Sequence, residues 1–227
     1  MSLQLYIGNK NYSSWSMRPW VLMRQLGIPF EEVGLRLDFS EGSAFRQAVA
    51  KVSPAGKVPV LVDDGFAVWD TLAITEYLHE KCATLGVWPT APRERARARS
   101  LCAEMHSGFG ALRGHCPMNV EASLAEVGKR VWAEQPDLRR DVERIDRMWT
   151  EQLSGSGGPM LFGAFSAVDA FYAPVCSRLV TYALPISKAA RAYVDRVASL
   201  AAVAEWNAAA LKEADFLDFD EPYLQSR

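Results

Sequence analysis

The chain has 227 residues, 49% of them apolar, and 25 Lys and Arg against 27 Asp and Glu leave a formal net charge of −2. That composition can bury a substantial core in one or two compact units, and the lack of a basic excess argues against a nucleic-acid or anionic-membrane partner. No apolar run is long enough to cross a bilayer and the first residues lack the basic-then-apolar order of a secretory signal, so the cytoplasm is the expected location.

In chain order, Leu3–Ile7 reads as a short strand, and the hydroxyl-rich stretch Asn11–Trp20 leads into a helix running towards Gly27. Pro19 fits the first turn of that helix, where an amide has no intrahelical acceptor. Ser13, Ser14 and Ser16 are therefore aimed at a helix N-terminus, where orphan amides and the positive end of the dipole suit an anion. A second extended run is expected through Leu35 and Leu37, then a partly helical stretch over residues 41–51. Asp63-Asp64-Gly65 between two short apolar runs is a hairpin signal. Pro59 belongs at a strand start or in a special turn, because inside a central strand it would cost a ladder bond. A further helix begins at Asp70-Thr71 and carries Ile74, Tyr77 and Leu78 on one face. The order βαβαββα suits a four-stranded sheet flanked by helices.

Gly86, Pro89 and Pro92 mark residues 82–92 as a linker, which divides the chain into 1–81, the linker, and a helical unit at 93–227. There, Leu101, Met105 and Phe109 recur at spacing four over 93–110. Residues 121–153 are periodic, with Pro136 placed to break or kink them. Three more helices are expected at 167–182, 188–201 and 203–214, with 154–159 as a turn. The tail from Phe216 is acidic and aromatic without a period. Cys82, Cys102, Cys116 and Cys176 form no CxxC pair, so buried thiols are expected in place of disulfides or a zinc ribbon. Cys102, His106, His115 and Cys116 lack the tight paired spacing of a structural zinc site, and no metal is expected.

These marks together resemble the glutathione transferase family over essentially the whole chain. Ser13-Ser-Trp-Ser-Met-Arg18 is most similar to the Ser-Ser-Cys-Ser-Trp-Arg motif of the zeta class, and the Ser14-to-Arg18 spacing also matches the theta and delta classes. The resemblance implies a thioredoxin-like N-terminal domain (βαβαββα, mixed four-stranded sheet) that binds glutathione, and an all-α C-terminal domain holding the electrophile pocket and dimer contacts. A free thiol has a pKa near ~8.5, so glutathione must be activated by stabilising its thiolate. A serine hydroxyl beside a helix N-terminus can do part of that. The zeta pattern points to Ser13 and the theta and delta spacing to Ser14; the bottom-up alternative is that these serines cap the helix, a role that best suits Ser16.

By the same resemblance Val58, before a cis Pro59, pairs with the cysteinyl backbone of glutathione, and Lys57 reaches its glycyl end. Asp70 and Thr71 stand where the family has an acid or amide followed by Ser, and would take the γ-glutamyl ammonium and carboxylate; a plain N-cap is the other reading of Asp70. Ser166 and Asp169 match the family's buried capping box, a folding element. Trp15, Met105, Phe109 and Arg113 are candidates for the electrophile pocket, with core packing as the alternative for Met105 and Phe109. Trp15 stands in the place of the zeta cysteine, which removes the nucleophile for thiol–disulfide exchange. The arginine that zeta isomerases use in the core helix falls on Thr181 by gapless matching, with Arg178 one turn earlier, a departure that counts against maleylacetoacetate isomerisation. The expected protein is a homodimeric, serine-type glutathione transferase acting on a small electrophile, and the competing expectation is a non-catalytic glutathione- or ligand-binding protein on the same scaffold.

Overall fold

The structure, a computed structural model, describes residues 3–226. Strand β1 (Leu3–Ile7) alternates buried and half-buried positions, so Leu3, Leu5 and Ile7 enter the main core while Tyr6 faces a smaller cluster. Helix α1 (Ser14–Gln25) returns the chain to β2 (Glu31–Gly34), which lies parallel to β1. After α2 (Ala44–Ala50), β3 (Val60–Asp63) runs antiparallel to β1 and β4 (Phe66–Trp69) antiparallel to β3. The sheet order is β2-β1-β3-β4, a mixed thioredoxin-like sheet. Asp64 and Gly65 both take positive φ (47° and 87°), as a two-residue hairpin loop demands. The second extended run stops at Gly34, short of Leu37, because the Leu37 amide donates to the Asn9 side chain at 2.8 Å and leaves the ladder.

Helix α3 (Thr71–Lys81) closes this unit. Beyond it come α4 (Pro92–Ser107), α5 (Gly110–His115), α6 (Ala125–Glu134), α7 (Pro136–Ser156), α8 (Ala167–Thr181), α9 (Lys188–Ala198) and α10 (Ala201–Glu213), then a 3-10 turn at Asp218–Asp220. Some boundaries differ from the expectation, while Pro136, expected to break or kink its stretch, breaks it. Phe109, at φ 53°, ends the spacing-four pattern and starts the separate short α5. Pro136 sits at the first position of α7, so it breaks the 121–153 stretch into two helices, since its ring cannot follow a helical residue. Helix α7 also runs on through Gly155 to Ser156, and the turn is confined to the positive-φ pair Gly157-Gly158.

Helix α8 is buried on nearly every face and α1 packs along it. Its start is fixed by the expected capping box: Asp169 accepts from the Ser166 amide at 2.9 Å and also from the Leu161 amide and the Tyr193 hydroxyl. Burial pushes the Asp169 carboxyl up to about 6 despite those three donors. The chain entering α1 is held just as closely. Glu213 at the end of α10 accepts from the Lys10 and Asn11 amides, and the Trp206 indole donates to the Lys10 carbonyl at 3.0 Å.

Helix α6 touches the end of α8 through Gly128, where an added Cβ would fall 1.7 Å from the Tyr182 carbonyl oxygen. Gly128→Ala should therefore cost about 2–3 kcal/mol in denaturant unfolding, the scale of a backbone-level overpacking. Gly114→Ala, at a helical site with nothing near, should leave stability equal or slightly raised. Equal unfolding curves for the two variants would contradict this packing of α6.

A candidate active site between α1 and α8

The serine loop enters α1 with its three hydroxyls in different roles. Ser13 is the N-cap: its oxygen accepts from the Ser16 amide at 3.4 Å and its hydroxyl donates to Ser16 Oγ at 2.7 Å. Ser16, expected as the cap, is fully buried and accepts from the Gly8 amide at 3.1 Å, which ties the end of β1 to the first turn of α1. Ser14, the first helical residue, accepts at 3.2 Å from the Arg178 guanidinium on α8. Its own proton meets no acceptor among the described residues. The Ser13 proton is thus committed inside the fold, and the Ser14 proton is free.

Both serines line a cavity of about 400 Å³ together with Tyr12, Trp15, Phe39, Lys57, Val58, Arg113, Met118, Arg178 and Asp220. Lys57 and Val58 arrive from the turn before β3, and the Val58–Pro59 bond is cis. Arg113 arrives from α5 and lies 5.8 Å from the Trp15 ring centroid. Of the other expected pocket residues, Met105 is fully enclosed and Phe109 is 7% exposed in the main core. Neither lines the cavity, because α4 turns Met105 inward against α8 and ends before Phe109. Pro59 is buried behind Val58.

Asp70 and Thr71, expected in the site, are not among the residues that line this cavity; they are linked to its Trp15 wall through His106. Asp70 caps α3, accepting from the Leu72 and Ala73 amides, at φ 75°. Its second oxygen lies 3.2 Å from His106 Nε2, and the Thr71 hydroxyl lies 3.3 Å from His106 Nδ1. The imidazole also meets the Trp15 ring edge-on at 5.1 Å. Burial pulls the His106 pKa down, the Arg18 and Arg113 charges add to that, and Asp70 opposes it. A neutral ring that donates to Asp70 and accepts from Thr71 satisfies both contacts. No group of three or more His, Cys, Asp or Glu suited to a metal occurs among the described residues.

Beneath Trp15 lies Arg18, 1% exposed, with its guanidinium carbon 4.1 Å from the Trp15 centroid and 5.2 Å from that of Phe171. None of its three nitrogens has a hydrogen-bond partner among the described residues. Burial, then Arg178 and Arg113, pull its pKa down to about 9. Arg178 donates to the Cys116 and Pro174 carbonyls and to Ser14, all neutral acceptors, and burial pulls it to about 10. Both stay charged at neutral pH, so the cavity floor is strongly electropositive.

Gapless matching pointed to Thr181, yet Thr181 donates to the Asn119 carbonyl and Arg178 is the residue that reaches the serine loop. The spacing of one helical turn was the signal, but which turn of α8 meets α1 is set by packing. In the sequence His106 enters as a metal-ligand candidate and Asp220 carries no site signal, since the place of both is set by tertiary contacts.

The model of the glutathione S-transferase N-terminal domain matches residues 12–81, and that of the C-terminal domain matches residues 94–206. The chain belongs to the glutathione S-transferase family. Among curated relatives, dichloromethane dehalogenase of Methylorubrum extorquens is 41% identical over 68 residues, 29% of this chain and 23% of that protein. Maleylacetoacetate isomerase of Rattus norvegicus is 28% identical over 131 residues, 58% of each chain. The match thus spans about a quarter to just over half of these relatives' lengths. Among solved structures, a Burkholderia glutathione transferase homologue with bound glutathione superposes with a TM-score of 0.70 at 23% identity, over 93% of this chain and all of that one. A tau-class glutathione S-transferase from Mangifera indica gives 0.70 at 16%, over 93% and 97%. Those likenesses establish the fold.

Ser13→Ala should lower unfolding stability by about 1 kcal/mol through loss of the α1 cap, read by denaturant titration. A stability equal to wild type would show that another group holds this helix end.

Proposed function

We propose that this protein is a serine-type glutathione transferase in which Ser14 activates the thiol. The observation that carries this reading is the uncommitted Ser14 proton, whose oxygen is fixed by Arg178 at 3.2 Å on the wall of the cavity. Arg178 polarises the hydroxyl, and Ser14 donates to the glutathione sulfur. The Arg18 and Arg178 charges, buried in a medium that screens them poorly, favour thiolate over thiol. Val58 pairs with the cysteinyl backbone, Lys57 meets the glycyl carboxylate, and Asp70 and Thr71 take the γ-glutamyl ammonium and carboxylate, with His106 beside them. The thiol releases its proton to solvent, and the thiolate then forms a bond to the electrophile, whose leaving group departs with the bonding pair.

Arg113 and Arg178 at the cavity offer cations to an electrophile bearing an anionic group, with the Asp220 carboxylate on the same wall acting against it. The reach of Arg178 also removes the main objection to glutathione-assisted isomerisation of an anionic substrate, which is the second reading. For the intact protein we propose a cytoplasmic homodimer acting in detoxification. Exposed Phe66 and Trp69, 62% and 43% accessible on edge strand β4, support a second copy covering that face.

The test is a glutathione titration of wild type combined with a conjugation assay and the ultraviolet absorbance of the bound thiolate. Ser14→Ala should lower kcat/KM by about tenfold to a hundredfold with glutathione affinity little changed, as for loss of one donor to a developing anion. Ser13→Ala should keep most turnover. A reversed order would move the role to Ser13. Glutathione bound without turnover or thiolate absorbance would favour a binding protein, and no binding at all would overturn both readings.

A further inference from the structure

The chain after α10 is anchored beside the cavity and contributes one residue to its lining. Leu217 is buried, 2% exposed, in the cluster with Tyr12, Leu37 and Phe45. Phe219 meets Phe39 edge-on at 5.1 Å, and Phe39 meets Phe45 at 5.5 Å. Glu221 accepts from the Tyr12 hydroxyl and from the Asn119 amide, each at 2.7 Å, and the Tyr223 hydroxyl donates to the His115 carbonyl at 2.8 Å. Between these anchors the 3-10 turn turns one residue, Asp220, onto the cavity wall.

Asp220 is the only carboxylate among the described residues lining that cavity, against Lys57, Arg113 and Arg178. The Arg178 charge acts on Asp220, and the Asp220 charge acts on Arg178. Asp220 makes no side-chain hydrogen bond among the described residues, so it does not anchor this segment. A half-buried carboxylate with no structural bond, on one wall with the buried Arg178 that bonds only to neutral acceptors, is placed as a counter-charge.

We propose that Asp220 sets the electrophile specificity of this site: its carboxylate is the resident counter-charge of Arg178, which an electrophile carrying its own carboxylate must replace and a neutral electrophile need not. This rests on the reading of the cavity as a glutathione transferase site. An organic-acid electrophile therefore enters against the repulsion of Asp220 until that group is protonated or removed. Burial and the adjacent Glu221 push the Asp220 carboxyl up to about 6, with Arg178 opposing; Tyr12, Lys57 and Arg113 are the other titratable or charged groups on the same wall. Lowering the pH through about 6 neutralises Asp220 and leaves the arginines charged, so discrimination against carboxylate electrophiles falls in that window.

The experiment compares wild type with Asp220→Asn on two aryl chlorides that react with glutathione in the same way, neutral 1-chloro-2,4-dinitrobenzene and anionic 4-chloro-3-nitrobenzoate. Asp220→Asn should lower KM for the benzoate by about fivefold to tenfold, the size of one partly screened charge pair. KM for the neutral chloride and for glutathione should stay within about twofold, and the benzoate KM should lose its dependence on pH near 6. Binding of the two glutathione conjugates, followed by tryptophan fluorescence, reads the same discrimination without turnover. Equal changes for both electrophiles, or none, would overturn the role of Asp220 while leaving the transferase reading intact. Wild type that binds neither glutathione nor either conjugate would overturn that reading, and this inference with it.

Discussion

Two buried guanidinium groups at the contact of α1 and α8 set the terms for the rest of the structure. Arg178 spends its donors on two carbonyls and a serine, and Arg18 spends none. Neither makes a direct hydrogen bond to a carboxylate among the described residues, and Asp220 acts on Arg178 only from across the cavity wall. A buried cation without a directly bonded carboxylate is costly to fold, and burial lowers the pKa of both groups accordingly. The compensation for Arg18 is aromatic: Trp15 on one side and Phe171 on another present ring faces to a flat, weakly hydrated cation. What the fold retains is a positive potential directly under the serine loop, fixed before any anion arrives. That arrangement needs no reorganisation when negative charge develops on sulfur, which is where such electrostatics is most effective.

Such a field is useful only if the hydroxyl is in register with it. The register comes from two helix starts. Ser13 closes the first turn of α1 and so turns Ser14 outward; a cap one residue later would have turned a different side chain to the cavity. Ser166 and Asp169 fix the start of α8, and Arg178 follows three turns on, at the level of Ser14. Glu213 and Trp206 hold the loop before α1 from the opposite end of the chain. The geometry of the proposed site is thus distributed over contacts of very long sequence separation, and loosening α10 would disturb Ser14 as surely as a change in α1.

This distribution explains what was legible in the sequence. The strand alternation, the Asp64-Gly65 turn, the Pro59 position and the capping box are local patterns, and each corresponds to its element. The serine loop was legible as an anion site from its hydroxyls before a helix, but Pro19, expected in the first turn, lies inside α1 at its sixth residue because the helix already starts at Ser14, so it did not mark the helix start. The division of labour among Ser13, Ser14 and Ser16 was not, since Ser16 is engaged by Gly8 from β1 and Ser14 by Arg178 from α8. Spacing-four periodicity put Met105 and Phe109 on one helical face, but it cannot say whether that face meets a cavity or a core. The αL residue Phe109 broke the pattern between Gly108 and Gly110, a helix-stop signal that the spacing-four reading passed over. Asp220 lay in a stretch with no period, and its place follows from Leu217, Phe219 and Glu221 finding partners elsewhere.

Trp15 shows how one departure from the family pattern reshapes the chemistry. A cysteine at that position would offer a nucleophile, but it would cover little of Arg18. The indole stacks on Arg18, stands within reach of Arg113 and meets His106 with its edge, so a single ring separates the buried cation from the cavity and borders the Asp70–Thr71 corner. It acts as a low-dielectric wall: it keeps water from Arg18 while passing the field of that charge towards the sulfur position. The exchange of cysteine for tryptophan thus removes redox reactivity and strengthens the electrostatic role of the arginine beneath, which fits a site that works by holding a thiolate and not by forming a disulfide.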